Sequence, residues 1–247
     1  MPDALHALTR LKDWVRWGAS EFAAAGLHFG HGSDNALDEA FHLVCHALHL
    51  PVELPATYMD AHLTQAECQR VHDLLQQRLT TRQPAAYLTG TMWFAGLPFD
   101  VTPDVLIPRS PFAELIARSL SPWVQTPPER ILDLCTGSGC IGIAAALAFE
   151  GAEVVLADVS TVALDVARRN VQRHGLADEV TCAEGDLFAA VRGQRFDLIL
   201  SNPPYVPTAE WQSLAAEYHH EPRLALDAGA DGMDCVARIL AEAPGHL

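Results

Sequence analysis

Lysine is almost absent from this chain of 247 residues: Lys12 stands alone beside fifteen arginines, against 31 Asp and Glu, and the formal net charge is −15. A protein that grips phosphate backbones needs a basic face, so this balance argues against general affinity for nucleic acid. Long apolar runs are missing too. The stretch from Ile141 to Phe149 is too short to span a bilayer, and Met1-Pro2-Asp3 starts no secretory leader. Six cysteines show no disulfide-framework spacing, which fits reduced thiols in the cytoplasm. Against these absences stands a 49% hydrophobic content, enough to pack one sizeable domain and a smaller one.

Two segments carry chemistry. The first, Ile131-Leu132-Asp133-Leu134-Cys135-Thr136-Gly137-Ser138-Gly139-Cys140-Ile141, reads as an apolar strand, a glycine loop and a small-residue helix. Gly137 and Gly139 permit close backbone approach, and the helix N-terminus offers free N–H groups to a ligand. No Lys-Ser/Thr follows the glycines, which excludes a P-loop, and the third glycine of the dinucleotide fingerprint is out of place. A second strand, Glu153 to Ala157, ends at Asp158, where a carboxylate can accept from both ribose hydroxyls. A third, Val180 to Ala183, leads into Gly185-Asp186-Leu187-Phe188, where Asp186 can accept from an adenine amino group with an apolar neighbour on the ring. Either aspartate also has a reading as a helix cap or turn residue, the stronger one for Asp186.

The second segment is Asn202-Pro203-Pro204-Tyr205, after the apolar run Phe196 to Ser201. Alone it is a turn that ends a strand. Next to a cofactor loop it suits alkylation of a planar nitrogen. Such a nitrogen is a poor nucleophile, and a site that alkylates it must hold its N–H bonds with fixed acceptors. Two prolines donate no backbone hydrogen bond, so the carbonyls of Asn202 and Pro203 are free to face a cleft, with Tyr205 as a flat wall.

The order Asp-Leu-Cys-Thr-Gly-Ser-Gly-Cys, Asp158, Gly-Asp-Leu-Phe and Ser-Asn-Pro-Pro-Tyr-Val resembles the S-adenosylmethionine-dependent protein glutamine N5-methyltransferases. Phe29-Gly30-His31-Gly32-Ser33-Asp34-Asn35 and Ile107-Pro108-Arg109-Ser110-Pro111 are similar to the branch that modifies large-subunit ribosomal protein number three, rather than the release-factor branch. The resemblance implies S-adenosyl-L-methionine as cofactor, held by Asp133, Thr136, Gly137, Ser138, Gly139, Asp158, Asp186, Leu187 and Asn202. Gly137 and Gly139 would meet its methionine part, Asp158 the ribose, and Asp186 with Leu187 the adenine. Asn202, Pro203, Pro204 and Tyr205 would hold the acceptor amide for in-line displacement, with no metal. A DNA adenine-N6 methyltransferase shares the Asn-Pro-Pro-Tyr segment and is the alternative from another class. The acidic balance favours a basic ribosomal protein over stable nucleic-acid binding, and no membrane.

The fold implied is α/β, a Rossmann-like class I methyltransferase sheet with an N-terminal helical domain and a β-hairpin. The expected domains are residues 1–90, helical and substrate-recognising, a linking hairpin over 91–108, and the methyltransferase domain over 109–247. Helices are expected from Leu5 to Ala25, Ala36 to Leu50 and Thr64 to Leu79, with Thr64 and Glu67 as a capping box and Pro51 and Pro84 as stops. The hairpin is expected between Thr91 and Ile107, and a last helix from Met233 to Ala243. His42, Cys45, His46 and His49 fall at helical intervals on one face, read here as an amphipathic surface rather than a metal site. Family members continue into three further strands, so the sheet is expected to lack its last three. Leu198, Ile199 and Leu200 would then sit short of cover at an open edge, which favours a homodimer or aggregate, or an inactive remnant.

Overall fold

The computed structural model describes residues 7–247, and no helix among them is long and apolar enough to cross a membrane. They form two compact units. The first runs to Thr89 and recruits Ala215–His220 from far along the chain; the second comprises Gly90–Leu214 and Glu221–Leu247.

The first unit packs α1 (Leu11–Ala24), α2 (Ala36–Ala47), α3 (Gln65–Thr81) and the short α4 (Ala85–Thr89) around Trp14, Phe22, Leu43 and Leu75. Of the expected first helix, Leu5 and His6 lie outside the described residues, and α1 begins only at Leu11. The Leu11 N–H donates to Ala61 O and the Leu63 N–H to Thr9 O, which holds Thr9 and Arg10 extended. Helix α2 stops at Ala47, three residues short of expectation, and His49 turns left-handed at φ 56°. Cys45 is buried, its thiol pushed up to about 11 by burial, while His42 and His46 stay one turn apart on α2 and the exposed His49 lies beyond its end. The box at α3 forms as its sequence predicts, with Thr64 N–H on Glu67 at 2.8 Å and Glu67 N–H on Thr64 at 3.3 Å.

Arg78 is fully buried in this unit. Its Nε donates to Glu39 at 2.7 Å, Nη1 to Arg82 O at 3.0 Å and Nη2 to His28 O at 3.2 Å. Glu217, on the returning segment, completes the network by pairing with Arg82 at 2.7 Å and Arg78 at 3.8 Å, and by accepting the His28 N–H. Burial raises the Glu39 carboxyl more than Arg78 lowers it. Glu217 goes the other way: burial pushes it up, but the His28 N–H and the two guanidinium groups together hold it low.

The second unit opens with an antiparallel hairpin of β1 (Thr91–Phe94) and β2 (Leu97–Asp100). Ala95 and Gly96 both have positive φ, 50° and 77°, the turn whose twist matches a hairpin. The ladder ends at Asp100 rather than Ile107, and residues 101–111 form a loop before α5 (Phe112–Ala117). There follow β3 (Arg130–Leu134), α6 (Cys140–Ala148), β4 (Glu153–Asp158), α7 (Thr161–Arg173), β5 (Val180–Glu184) and β6 (Leu198–Ser201), then α8 (Thr208–Trp211) and α9 (Asp234–Glu242). The four later strands make a parallel sheet in the order β5-β4-β3-β6. Both faces are covered, as the continuous apolar run of β3 requires. Ile131 joins α6 and α7 on one side; Leu132 and Leu134 join Leu187, Phe188 and Ile239 on the other. Gly142 on α6 lies so close to the sheet that a Cβ there would collide with Leu156 and crowd Asp133.

Strand β6 is an edge, paired only with β3 among the described residues. Its side chains have more cover than expected. Leu200 is buried, Leu198 packs against the α6 cluster, and Ile199 packs beside Ile239 and Ala243. The chain that follows α9 closes this side, with the Phe196 N–H on His246 O at 2.8 Å and the His246 ring stacked on Phe188 at 4.6 Å.

Replacing Arg78 by Met strands the buried carboxylate of Glu39, while Glu217 keeps Arg82, and urea unfolding should show a loss of about 3–5 kcal/mol. Arg168→Ala, which breaks only the exposed pair with Asp165, should move the midpoint by less than about 0.5 kcal/mol. Equal losses would refute the ranking.

Candidate active site

The heads of the parallel strands build the site. Asp133, near the end of β3, is wholly buried, and its Oδ2 accepts from the Thr136 hydroxyl at 2.6 Å and the Gly142 N–H at 2.9 Å. One carboxylate oxygen thus ties the glycine loop to the first turn of α6. The other, Oδ1, has no hydrogen-bond partner among the described residues. Burial pushes this carboxyl up to about 7, because the lost hydration outweighs both hydrogen bonds and the nearby Asp158 charge adds to the rise.

Asp158 closes the loop from the next strand. Its Oδ2 accepts the Gly137 N–H and its Oδ1 the Ser160 N–H, each at 2.9 Å, while its own carbonyl accepts the Gly185 N–H at 3.0 Å. Asn170 on α7, fully buried, supports the loop from behind. It donates to Ser138 O at 2.9 Å and Asp100 O at 3.0 Å, and accepts the Asp100 N–H at 2.7 Å.

Asn202-Pro203-Pro204-Tyr205 leaves β6 beside this loop, and Ser201 Oγ fixes the strand end on Leu134 O at 2.9 Å. The segment is anchored downstream at Val206, whose N–H donates to Leu226 O and whose carbonyl accepts the Ala228 N–H, both at 2.9 Å. Thr208 Oγ1 adds a 2.6 Å bond to Asp227. A further wall comes from residues 104–110. Glu221, buried, takes the Arg109 guanidinium on both oxygens at 2.7 and 3.0 Å and the Ile107 N–H at 3.1 Å.

These elements enclose a cavity of about 310 Å³ within the second unit. Thr136, Gly137, Ser138, Asp158, Asp186, Leu187, Asn202 and Pro204 all line it. Asp133 and Gly139 do not. Asp133 lies beneath the loop, and Gly139, at φ 83°, packs against Ile143, Leu156 and Ala167. Pro203 and Tyr205 also fall outside the lining, and Tyr205 is 63% exposed. The cavity fits a nucleoside carrying an amino-acid arm. A Cβ on Gly137 would meet only open space, so the loop offers bare backbone; carboxylates stand at the heads of β4 and β5, with Leu187 as an apolar face.

Residues 114–229 match the family model described as Methyltransferase small domain, and residues 13–90 the one described as PrmC N-terminal domain. A ribosomal protein uL3 glutamine methyltransferase of Bordetella pertussis is 52% identical over 97% of this chain and 81% of its own length. The chain belongs to that family. Its counterpart of the same name from Francisella tularensis is 43% identical over 99% of this chain and 79% of its own. Among solved structures, a ribosomal protein L11 methylase from Lactobacillus delbrueckii subsp. bulgaricus is 29% identical, covering 37% of this chain and 43% of that one, with a TM-score of 0.31. This family member is a Rossmann-like class I methyltransferase in fold, and S-adenosylmethionine is its methyl donor.

Local sequence gives no signal for the supports Asn170 and Glu221, nor for Cys235 and Arg238, which also line the cavity. Glu221-Pro222 sits beside a conspicuous proline but gives no local sign of its partner, and Arg238 is one charge on an amphipathic helix. Arg109, in the segment similar to the ribosomal-protein branch, pairs with Glu221 and also lines the cavity.

The folded state binds the Asp133 proton more tightly than the unfolded chain does. Its contribution to stability is therefore whole below about 3.8 and is lost as pH rises through about 7. Asp133→Asn keeps an acceptor for Thr136 and Gly142 without an ionisable proton. Denaturant titrations of cofactor-free protein between pH 5 and 8 should show a decline on the order of 2 kcal/mol in the wild type and a flatter profile in the variant. Parallel profiles would exclude this assignment.

Proposed function

We propose that this protein transfers a methyl group to the side-chain amide nitrogen of a glutamine in a ribosomal protein, the reaction its relatives are named for. What carries the reading is 52% identity over nearly the whole chain, joined to a cavity in which Asn202 and Pro204 face the same space as Asp158 and Asp186. When bound, S-adenosylmethionine supplies a methyl group on a positively charged sulfur. The loop from Thr136 to Ser138 would hold its amino-acid end, Asp158 the ribose hydroxyls, and Asp186 with Leu187 the adenine. Asp133 and Gly139 shape that loop from below rather than touch the ligand.

The acceptor nitrogen is the difficult partner, since its lone pair is delocalised into the carbonyl. Asn202, which lines the cavity, would accept one amide N–H bond through its side-chain oxygen, and the Pro203 carbonyl, at the margin outside the lining, would accept the other, which concentrates electron density on the nitrogen and fixes its direction for in-line attack. These acceptors are preorganised by the anchor at Val206 and need no reorganisation as charge develops. Pro204 walls the cavity, and the exposed Tyr205 would meet the substrate chain around the glutamine. A chain of net charge −15 attracts a basic ribosomal protein and discourages DNA, which gives the reaction a cytoplasmic setting. Self-association through the free edge of β6 is part of the same proposal.

Labelled S-adenosylmethionine should methylate the free ribosomal protein, and neither a release factor nor duplex DNA to a comparable extent. Asn202→Ala should lower kcat about 10²- to 10³-fold while cofactor affinity changes by less than about tenfold. Label appearing in DNA alone would refute the proposal.

A further inference from the structure

Helix α9 delivers to the cavity a cation that the roles above leave unused. Arg238 Nη2 donates to Asp186 Oδ2 at 2.8 Å, and both side chains line the cavity. Both are about half exposed, 50% and 59%, so the pair adds little to folding stability. Its surroundings are nevertheless fixed. Ile239, the next residue of α9, is buried in the same cluster as Leu187 and Phe188, which follow Asp186. On the other flank, Gly185 lies so close to the Ala190 backbone that no Cβ fits. The backbone on each side of the ion pair is thereby held, and what the pair itself fixes is the side-chain direction of Asp186.

We propose that Arg238 is a positioning residue for base recognition: by holding Oδ2 of Asp186 it fixes the direction in which the carboxylate is presented to the cavity, selecting a base with an exocyclic amino group over one with a carbonyl. An ionised carboxylate only accepts hydrogen bonds, so it rewards an amino donor and is repelled by a keto oxygen. Discrimination of this kind depends on direction, since a freely rotating carboxylate could turn toward solvent and tolerate either base. This inference rests on the reading of Asp186 as the adenine contact.

The test measures binding of S-adenosylhomocysteine and its inosine counterpart to the full chain by calorimetry, and takes the ratio of the two affinities. The wild type should favour the adenine compound at least about tenfold, and Asp186→Ala should bring the ratio near unity. Arg238→Ala should reduce the ratio about threefold, and Arg238→Lys, which keeps the charge, should restore part of it. An Arg238→Ala variant that weakens both ligands equally would overturn the inference and leave Arg238 a structural role. A ratio untouched by Asp186→Ala would overturn the adenine reading itself, and the inference with it. Circular dichroism of each variant checks that the exposed substitutions leave the fold intact.

Discussion

The buried carboxylate of Asp133 fixes the glycine loop and the start of α6 relative to the sheet, and the rest of the cavity follows from where that loop stands. Two influences act on this acid in opposite directions. It lies near the N-terminus of α6, where partial positive charge favours an anion by about 1 kcal/mol. It is also cut off from water, which penalises the anion by several kcal/mol. Burial wins, and the group sits near neutrality while still accepting two hydrogen bonds. Asp158, which lines the cavity, performs the complementary task of bonding backbone N–H groups at the exposed side of the same loop. A buried brace and an open contact thus divide the two sides of one turn.

The near absence of lysine has a structural counterpart. Most of the interior or wall-forming ion pairs use an arginine with several partners at once: Arg78 reaches one carboxylate and two carbonyls through Nε and both terminal nitrogens, and Arg109 takes Glu221 on two oxygens. A planar fork can satisfy divergent acceptors without leaving a buried proton unpaired, and a lysine point charge cannot. An acidic chain can therefore bury Glu39, Glu217 and Glu221 without an isolated charge in its cores.

What the sequence revealed was what depends on neighbours along the chain. The glycine loop, the aspartates at the heads of β4 and β5, the Thr64–Glu67 box and the Asn-Pro-Pro-Tyr segment each carry their signal within a few residues, and Asn202 and Pro204 do face the cavity. The supports that hold these residues are tertiary. Asn170 meets Asp100 seventy positions away, Arg109 meets Glu221 across 112, and Arg238 meets Asp186 across 52. Spacing also misled where it was extended beyond a helix: His49 lies past the last turn of α2, and Cys45 faces the core, which leaves His42 and His46 as the neighbouring pair. The start of α1 failed for a related reason, since backbone bonds to Ala61 and Leu63 compete with helix at Thr9 and Arg10.

The return of Ala215–His220 to the helical unit has a consequence for the order of events during synthesis. Until Glu217 has been made, Arg78 and Arg82 lack one of the carboxylates that neutralise them, and the His28 N–H lacks its acceptor. The four helices emerge from the ribosome long before that residue does. They must wait in a partly assembled state while the whole of the parallel sheet is translated, so the first unit to be made cannot be the first to be finished.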